Sequence, residues 1–505
     1  MPSGAMGKSK QQRVVVIGAG IGGLTAGALL AKRGYKVLVL DQALLPGGCA
    51  STFKRFGFTF DVGATQVAGL EPGGIHHRIF SELEVAPPPA TPCDPACAVY
   101  LPGETEPISV WRNPEMWKAE LHRQFPGSEG LWQLFATLFR ASWAFQSRDP
   151  VLPPRNLWDL WQLAKAVRPD TLITAPYTLM TVGDALRLCG LADNLRLRAF
   201  LDMQLKLYSQ VDAEETALLY AATALGVSQE PQGLFHLTGS MQVLSDCLLE
   251  ALEKYGGKLL MRHTVEGITV GGSGAEGVVV RNQKTGEVWA EPADHVVANV
   301  PVQNLVKLLG EKAPAGYRYR AEKLPPASGA FVVYLGVKQE AIPPGCPPHL
   351  QFLYDYEGEI GENNSLFVSV SHPGDGRAPA SMATITASSF TDTRRWWNCA
   401  DYQGLKEQYA QEAISRLSSY FHLTPETIVC QEAATPRTFA RYTAREDGIV
   451  GGIGQRVATF GPFGLATRTP VRGLWLVGDS THPGEGTAGV SYSALTAVRQ
   501  IEAEG

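Results

Sequence analysis

No charged residue falls between Arg13 and Lys32 in RVVVIGAGIGGLTAGALLAK. The stretch opens with a β-branched run, Val14 to Ile17, suited to a strand buried on both faces of a parallel sheet. Glycines interrupt it, an apolar helical stretch from Thr25 to Ala31 follows, and Gly34 closes that helix. YKVLVLD, residues 35–41, then reads as a second strand. A spanning helix needs about 20 predominantly apolar residues, and a secretory segment ends at a small-residue cleavage site. The pattern fits neither, so no signal peptide and no transmembrane helix are expected.

Similar periodicities recur later. GSMQVLSDCLLEALEKYGGKLLMRHTVEGITV, residues 239–270, predicts a helix, a glycine stop and a strand. Residues 277–300 predict a β-meander turning at Asn282 to Gly286. Near the C-terminal end, Leu474 to Val477 reads as a strand, followed by a Gly/Thr/Ser-rich loop and a helix beginning near Val490. In LWQLFATLFRASWAF, helical spacing places Leu131, Leu134, Phe135, Leu138 and Ser142 on one face. In NLWDLWQLAKAV, Leu157, Leu160, Trp161 and Ala164 share a face, with Asp159, Gln162 and Lys165 opposite.

Composition narrows the function classes. A 505-residue chain can hold two or three domains or one large core with an inserted lobe. The net charge of -5 offers no basic field for nucleic acid. Eight cysteines at irregular spacing fit a reducing compartment better than a disulfide framework. Cys93 and Cys97 have half the spacing of a metal site, but no second pair follows, so no metal is expected.

The glycines carry the first chemistry. Gly18, Gly20 and Gly23 form G-x-G-x-x-G at a strand-to-helix turn, with Ala19, Ile21 and Gly22 between them. Gly18 permits the turn, Gly20 lets a pyrophosphate approach the backbone, and Gly23 lets helix and strand pack closely. The unpaired N–H groups at the helix start suit phosphate. Asp41, 23 residues after Gly18 and followed by Gln42, suits a ribose 2′-OH. Gly47-Gly48 would bring backbone to the cofactor again, and the strand-like FGFTFDVGATQV ends at Asp61, Gly63, Ala64 and Thr65. Gly478 and Asp479 end the C-terminal strand, and the following helix, with Gly489 and Val490 at its start, would present N–H groups to an electron-rich ring edge. The dinucleotide suited to both ends is FAD, with Asp479 placed for a ribityl hydroxyl.

Taken together, VVVIGAGIGGLTAGALLAKRGYKVLVLD, PGGCASTF, FDVGAT, TPRTFARYTAREDGIVGG and LVGDSTHPGEGTAGV resemble the FAD-dependent phytoene desaturase/carotenoid isomerase superfamily, related to the monoamine oxidases. The resemblance covers nearly the whole chain and is strongest to the cyanobacterial carotenoid C-3′,4′ desaturase branch of myxol-type xanthophyll synthesis. It implies an α/β fold: a Rossmann-like FAD-binding domain of glutathione-reductase/monoamine-oxidase type with an inserted α+β substrate lobe. Segments 12–100, 231–310 and 441–505 would form the cofactor domain, with Val265 marking a backbone contact to adenine. Segments 101–230 and 311–440 would form the lobe.

The implied reaction is loss of two hydrogens from an allylic C–C bond of an acyclic or monocyclic carotenoid, with a quinone or oxygen as electron acceptor. Glu485 is the candidate ionisable group near the flavin, and His482 could shape or polarise the same loop. Arg437, Arg441 and Arg445 are either charged-face residues or contacts near the cofactor phosphates. A carotenoid lives in hydrocarbon, so the active-site mouth should meet a bilayer. The Trp-rich region from about 131 to 180 is the expected contact. Residues 131–167 hold four of the ten tryptophans, and Arg140 to Arg168 include five basic residues against two acidic ones. A peripheral protein on the cytoplasmic side of a membrane is expected, although a packed helical core would give the same stripes. A cis–trans isomerase using reduced FAD, a flavin amine oxidase and a non-catalytic prenyl-group carrier are the alternatives on this fold.

Overall fold

The uncharged N-terminal run is buried because two layers cover it. The computed structural model describes residues 11–504, so Gly505, the end of the third expected cofactor segment, lies outside them. Strand Arg13–Ile17 pairs in parallel with Lys36–Asp41 on one side and His295–Ala298 on the other. Lys258–Met261 and Leu474–Leu476 extend the sheet to five parallel strands. Its side chains alternate between faces as strand geometry requires. Val14 and Val16 pack against the helices Ile21–Lys32, Gln242–Lys254 and Thr487–Glu502. Val15 and Ile17 pack against Ile268, Val278 and Val280 of an antiparallel meander, His263–Gly271, Gly274–Asn282 and Val288–Pro292. The first helix starts four residues earlier than its apolar stretch suggests, because the glycines Gly22 and Gly23 are themselves helical.

A second sheet has seven strands in the order Ile428–Ala434, Gly329–Lys338, Met382–Thr391, Ser365–Val370, His349–Leu353, Cys97–Tyr100 and Ile108–Val110. All its pairs are antiparallel except His349–Leu353 with Cys97–Tyr100. Trp396, Tyr409 and Phe421 fill the core on one of its faces.

The two Trp-rich helices differ in their surroundings. In Glu129–Gln146, Leu131, Phe135 and Leu138 are core residues, and Trp132 packs among Trp117, Phe125 and Phe200. This corrects the expectation that membrane-facing helices begin near 131. In Leu157–Ala166 the polarity is inverted. Asp159 is fully buried and accepts hydrogen bonds from Gln500 Nε2 and the Arg155 amide, at 2.9 and 3.0 Å. Leu157, at 84% exposure, Leu160 and Trp161 face outward. Leu172, Ile173 and Leu179 continue the exposed apolar surface. Among the described residues no helix is long and apolar enough to cross a membrane.

Candidate active site

The carboxyl ends of the parallel strands converge on one cavity of about 590 Å³. At its first edge the chain leaves Ile17 through Gly18, whose φ of +94° is costly for any side-chain-bearing residue. Asp41 braces the turn: its Oδ2 accepts the Ala19 N–H and its Oδ1 the Ala43 N–H, each at 2.7 Å. Burial raises the Asp41 pKa against these two bonds. Gly20 caps the helix without a side-chain hydrogen bond, and the first turn holds no acid. Its amides are free for an anion. The C-terminal helix is likewise capped by a glycine, Gly486, and starts at Thr487, three residues before the expected Val490. The two helix starts meet at Gly22, where a Cβ would stand 3.2 Å from the Val490 carbonyl oxygen.

Most of the residues expected to bind cofactor line this cavity. Gly18, Gly20, Ile21, Gly22, Asp41 and Gln42 form one wall. Gly47, Gly48, Gly63, Ala64 and Thr65 form the next, and Gly478, Asp479, Glu485 and Val490 close it opposite. Val265 also reaches it, beside a bulge in strand pairing between Val265 and Gly267.

Four expected residues do not line the cavity. Ala19 is buried, with its amide committed to Asp41. Gly23 is a packing residue, since a Cβ there would sit 1.9 Å from the Gly18 carbonyl oxygen. Gly489 packs likewise on the Gly484 carbonyl. His482 turns away, with its Nε2 3.3 Å from Gln146 Oε1 and its ring 5.6 Å from that of Phe460. Burial there pulls its pKa down to about 4, so it carries no charge for the site.

The polar groups at the far end are sparse and buried. Arg445 donates to Asp479 Oδ2 at 2.7 Å and to the Ile449 carbonyl at 2.8 Å. Arg445 is therefore the cavity residue of the three candidate arginines. Arg437 stacks on Trp397 and Tyr402, and Arg441 is exposed. Glu485 Oε2 accepts from Gln210 Nε2 at 2.8 Å, while its buried Oε1 has no partner among the described residues. Burial pushes the Glu485 carboxyl up to about 8, against the bond from Gln210. Around these groups the wall is apolar: Leu207, Val332, Phe367, Phe390 and Phe439. Gln210 and Asn299 escape sequence reasoning. The Asn299 amide lies beside Gly18, Gly20, Gly22 and Gly478. Its position one residue beyond strand His295–Ala298, at the same sheet edge, is the signal that could have found it.

Two uncapped helix starts, a braced glycine turn and an apolar chamber fit a flavin dinucleotide and define an FAD-dependent oxidoreductase. The chain belongs to the flavin containing amine oxidoreductase family, whose model matches residues 21–502. It is similar to the chloroplastic prolycopene isomerase of Daucus carota, with 29% identity covering 99% of this chain and 81% of that protein. Similarity to the neurosporene-forming phytoene desaturase of Rhodobacter capsulatus is 26%, covering 97% and 94%. Among solved structures, cyclohexylamine oxidase from Brevibacterium oxydans shares the fold at a TM-score of 0.62 and 17% identity, covering 98% and 100%.

Proposed function

We propose that this flavoenzyme is a carotenoid desaturase that removes two hydrogens from an allylic C–C bond of an acyclic or monocyclic carotenoid, at C-3′,4′. The observation that carries it is Glu485: a carboxyl whose buried Oε1 has no partner among the described residues, in a cavity walled by Leu207, Val332, Phe367, Phe390 and Phe439. Full-length similarity to proteins named for carotenoid desaturation and isomerisation supports the substrate class. FAD, when bound, supplies hydride acceptance. Glu485 Oε1 takes the proton from the neighbouring carbon. The aromatic wall aligns the polyene and excludes water.

In this reading the amides of Gly20 to Gly22 hold the pyrophosphate, Asp41 the adenosine ribose, and the Val265 backbone the adenine. Asp479 holds a ribityl hydroxyl, and the helix start at Val490 faces the flavin pyrimidine edge. Segments 12–100, 231–310 and 441–505 serve the cofactor, and 101–230 with 311–440 the substrate. A quinone or oxygen re-oxidises the flavin. A cis–trans isomerase is the second reading, favoured by the 29% identity to prolycopene isomerase. Product mass decides after expression in a carotenoid-producing host. Loss of two hydrogens supports desaturation, an unchanged mass with a shifted spectrum supports isomerisation, and no change with any carotenoid removes both.

The inverted helix Leu157–Ala166 supports docking on the cytoplasmic face of a membrane. Asp159 and Gln162 of its polar side bond the C-terminal helix, leaving Leu157, Leu160 and Trp161 facing out beside Arg155, Lys165 and Arg168. Burying a large apolar side chain contributes about 1.5–3 kcal/mol. The double variant Leu160→Ser/Trp161→Ser should therefore bind anionic liposomes roughly a hundredfold more weakly in co-sedimentation. Unchanged partitioning would move the membrane contact elsewhere.

A further inference from the structure

Behind the cavity wall a file of polar side chains runs toward the surface. Thr65 lines the cavity, and its Oγ1 accepts a hydrogen bond from Ser369 Oγ at 2.7 Å. Ser369 Oγ lies 3.0 Å from Nδ1 of His349. These two residues sit directly opposite each other on adjacent antiparallel strands, which puts their side chains on one face. His349 is wholly buried, its ring parallel to that of Phe367 and 5.9 Å from that of His236. His236 meets His372 edge-on at 4.4 Å, and His372 is exposed.

The hydrogen-bond partners assign the tautomers. Ser369 donates to Thr65, so its oxygen accepts from His349 Nδ1–H and leaves Nε2 as an acceptor. His236 Nε2 lies between Arg377 Nη1 at 2.8 Å and Asp375 Oδ2 at 3.1 Å, and in the tautomer that accepts from Arg377 neutral His236 carries its proton on Nδ1. His349 Nε2 and His236 Nδ1 are both buried and without a partner among the described residues. One is an acceptor and the other a donor, on rings whose centroids lie 5.9 Å apart, so a proton passes between them through a bridging water.

The surrounding charges suit a proton in transit. Arg377 bonds Asp61 at 3.1 Å and Asp375 at 2.7 Å, and all three are buried below a tenth exposure. Asp375 Oδ2 also lies 3.1 Å from His236 Nε2. Against burial, the bonds to His236 and Arg377 hold the Asp375 carboxyl low, and it offers a negative charge that a passing imidazolium offsets. Burial, with His236, His372 and Arg377 nearby, holds the His349 pKa well below the ordinary imidazole value, so this residue is neutral at rest.

We infer that Thr65, Ser369, His349, His236 and His372 form a proton path between the flavin cavity and solvent. The inference rests on the flavoenzyme reading of the cavity and adds a route by which protons reach its inner wall. Each member takes a proton on one atom as it releases one from its other side, so no electrons move and no member changes its final charge. At rest the hydrogens from His236 to Ser369 point toward the cavity. An inward passage reverses that order and an outward passage restores it.

The test uses FAD-loaded enzyme and no carotenoid, so it stands apart from the substrate assignment. Proton uptake during photochemical reduction of the holoenzyme is followed with an indicator dye in weak buffer. His349→Gln keeps a polar group beside Ser369 but relays poorly, and Ser369→Ala removes the hydroxyl that joins His349 to Thr65. Each is expected to slow uptake at least tenfold with FAD content and melting temperature unchanged. His372→Asn, at the exposed end, should slow it as well and be restored by added imidazole. It keeps the idea open to refutation if the buried variants do not fold. Wild-type uptake rates in folded His349→Gln and Ser369→Ala, or in His372→Asn alone, would overturn the path. A merely structural His349 would lower FAD content or melting temperature and leave the uptake rate intact.

Discussion

Glu485→Gln is expected to lower single-turnover rates by roughly 10²–10⁴-fold, the usual contribution of a positioned acid or base, while FAD stays bound. Glutamine keeps the shape and can still accept from Gln210 through its carbonyl oxygen, but its amide nitrogen replaces the free Oε1 and cannot take a proton. Shape matters at this position, because a Cβ on Gly451 would already lie 2.3 Å from Glu485 Oε2. Flavin absorbance reports cofactor content, and rapid-mixing spectra with the polyene report the rate. A variant within threefold of wild type would remove Glu485 from the chemistry.

The pH profile of the same reaction separates the two readings of function. The Glu485 carboxyl, pushed to about 8 by burial, must be ionised to accept a proton. Desaturation then quickens as pH rises through about 8 and levels off above it. An isomerase that starts by protonating the polyene shows the opposite limb. Folding stability offers an independent check. The folded-state pKa lies above the ordinary 4.5, so the contribution of this neutral carboxyl is complete below 4.5 and is lost as pH rises toward 8. Glu485→Gln lacks that titration. The melting temperature of the variant should gain on wild type across this window, and a constant difference would refute the raised value.

Short-range backbone demands were the most legible part of this chain. Gly18, Gly23 and Asp41 act within one βαβ unit, so their spacing alone identifies a dinucleotide turn. Gln210 and Asn299 reach the same cavity from distant elements; only the place of Asn299 just past a strand marks it, and nothing in its local sequence marks Gln210. His482 and Glu485 lie three residues apart, yet one faces Phe460 and the other the cavity. Loop spacing does not determine side-chain direction there. In Leu157–Ala166 the periodicity correctly separates apolar from polar faces. It cannot say which face the protein covers, and Asp159 shows that here it is the polar one.

Two glycines in one motif should fail in different ways. Gly20→Leu should give a folded but colourless protein. Gly20 has ordinary helical-cap geometry, and an added Cβ meets only the Asn299 side-chain amide, at 2.9 Å, a group able to shift. The rest of the leucine projects into space that the pyrophosphate needs. Gly23→Ala should lose both colour and stability. Its Cβ would stand 1.9 Å from the Gly18 carbonyl oxygen, a backbone atom one residue past a strand that is paired on both sides. Helix and turn must separate to admit it, and overpacking of this kind costs about 3 kcal/mol or more. The flavin-to-protein absorbance ratio and a thermal melt read both outcomes. Full flavin content in Gly20→Leu would mean the cofactor does not cross this turn, whereas a wild-type melt for Gly23→Ala would mean the helix does not pack against it. Because the same two measurements apply to both variants, they separate a residue that touches the cofactor from one that only holds the cradle closed.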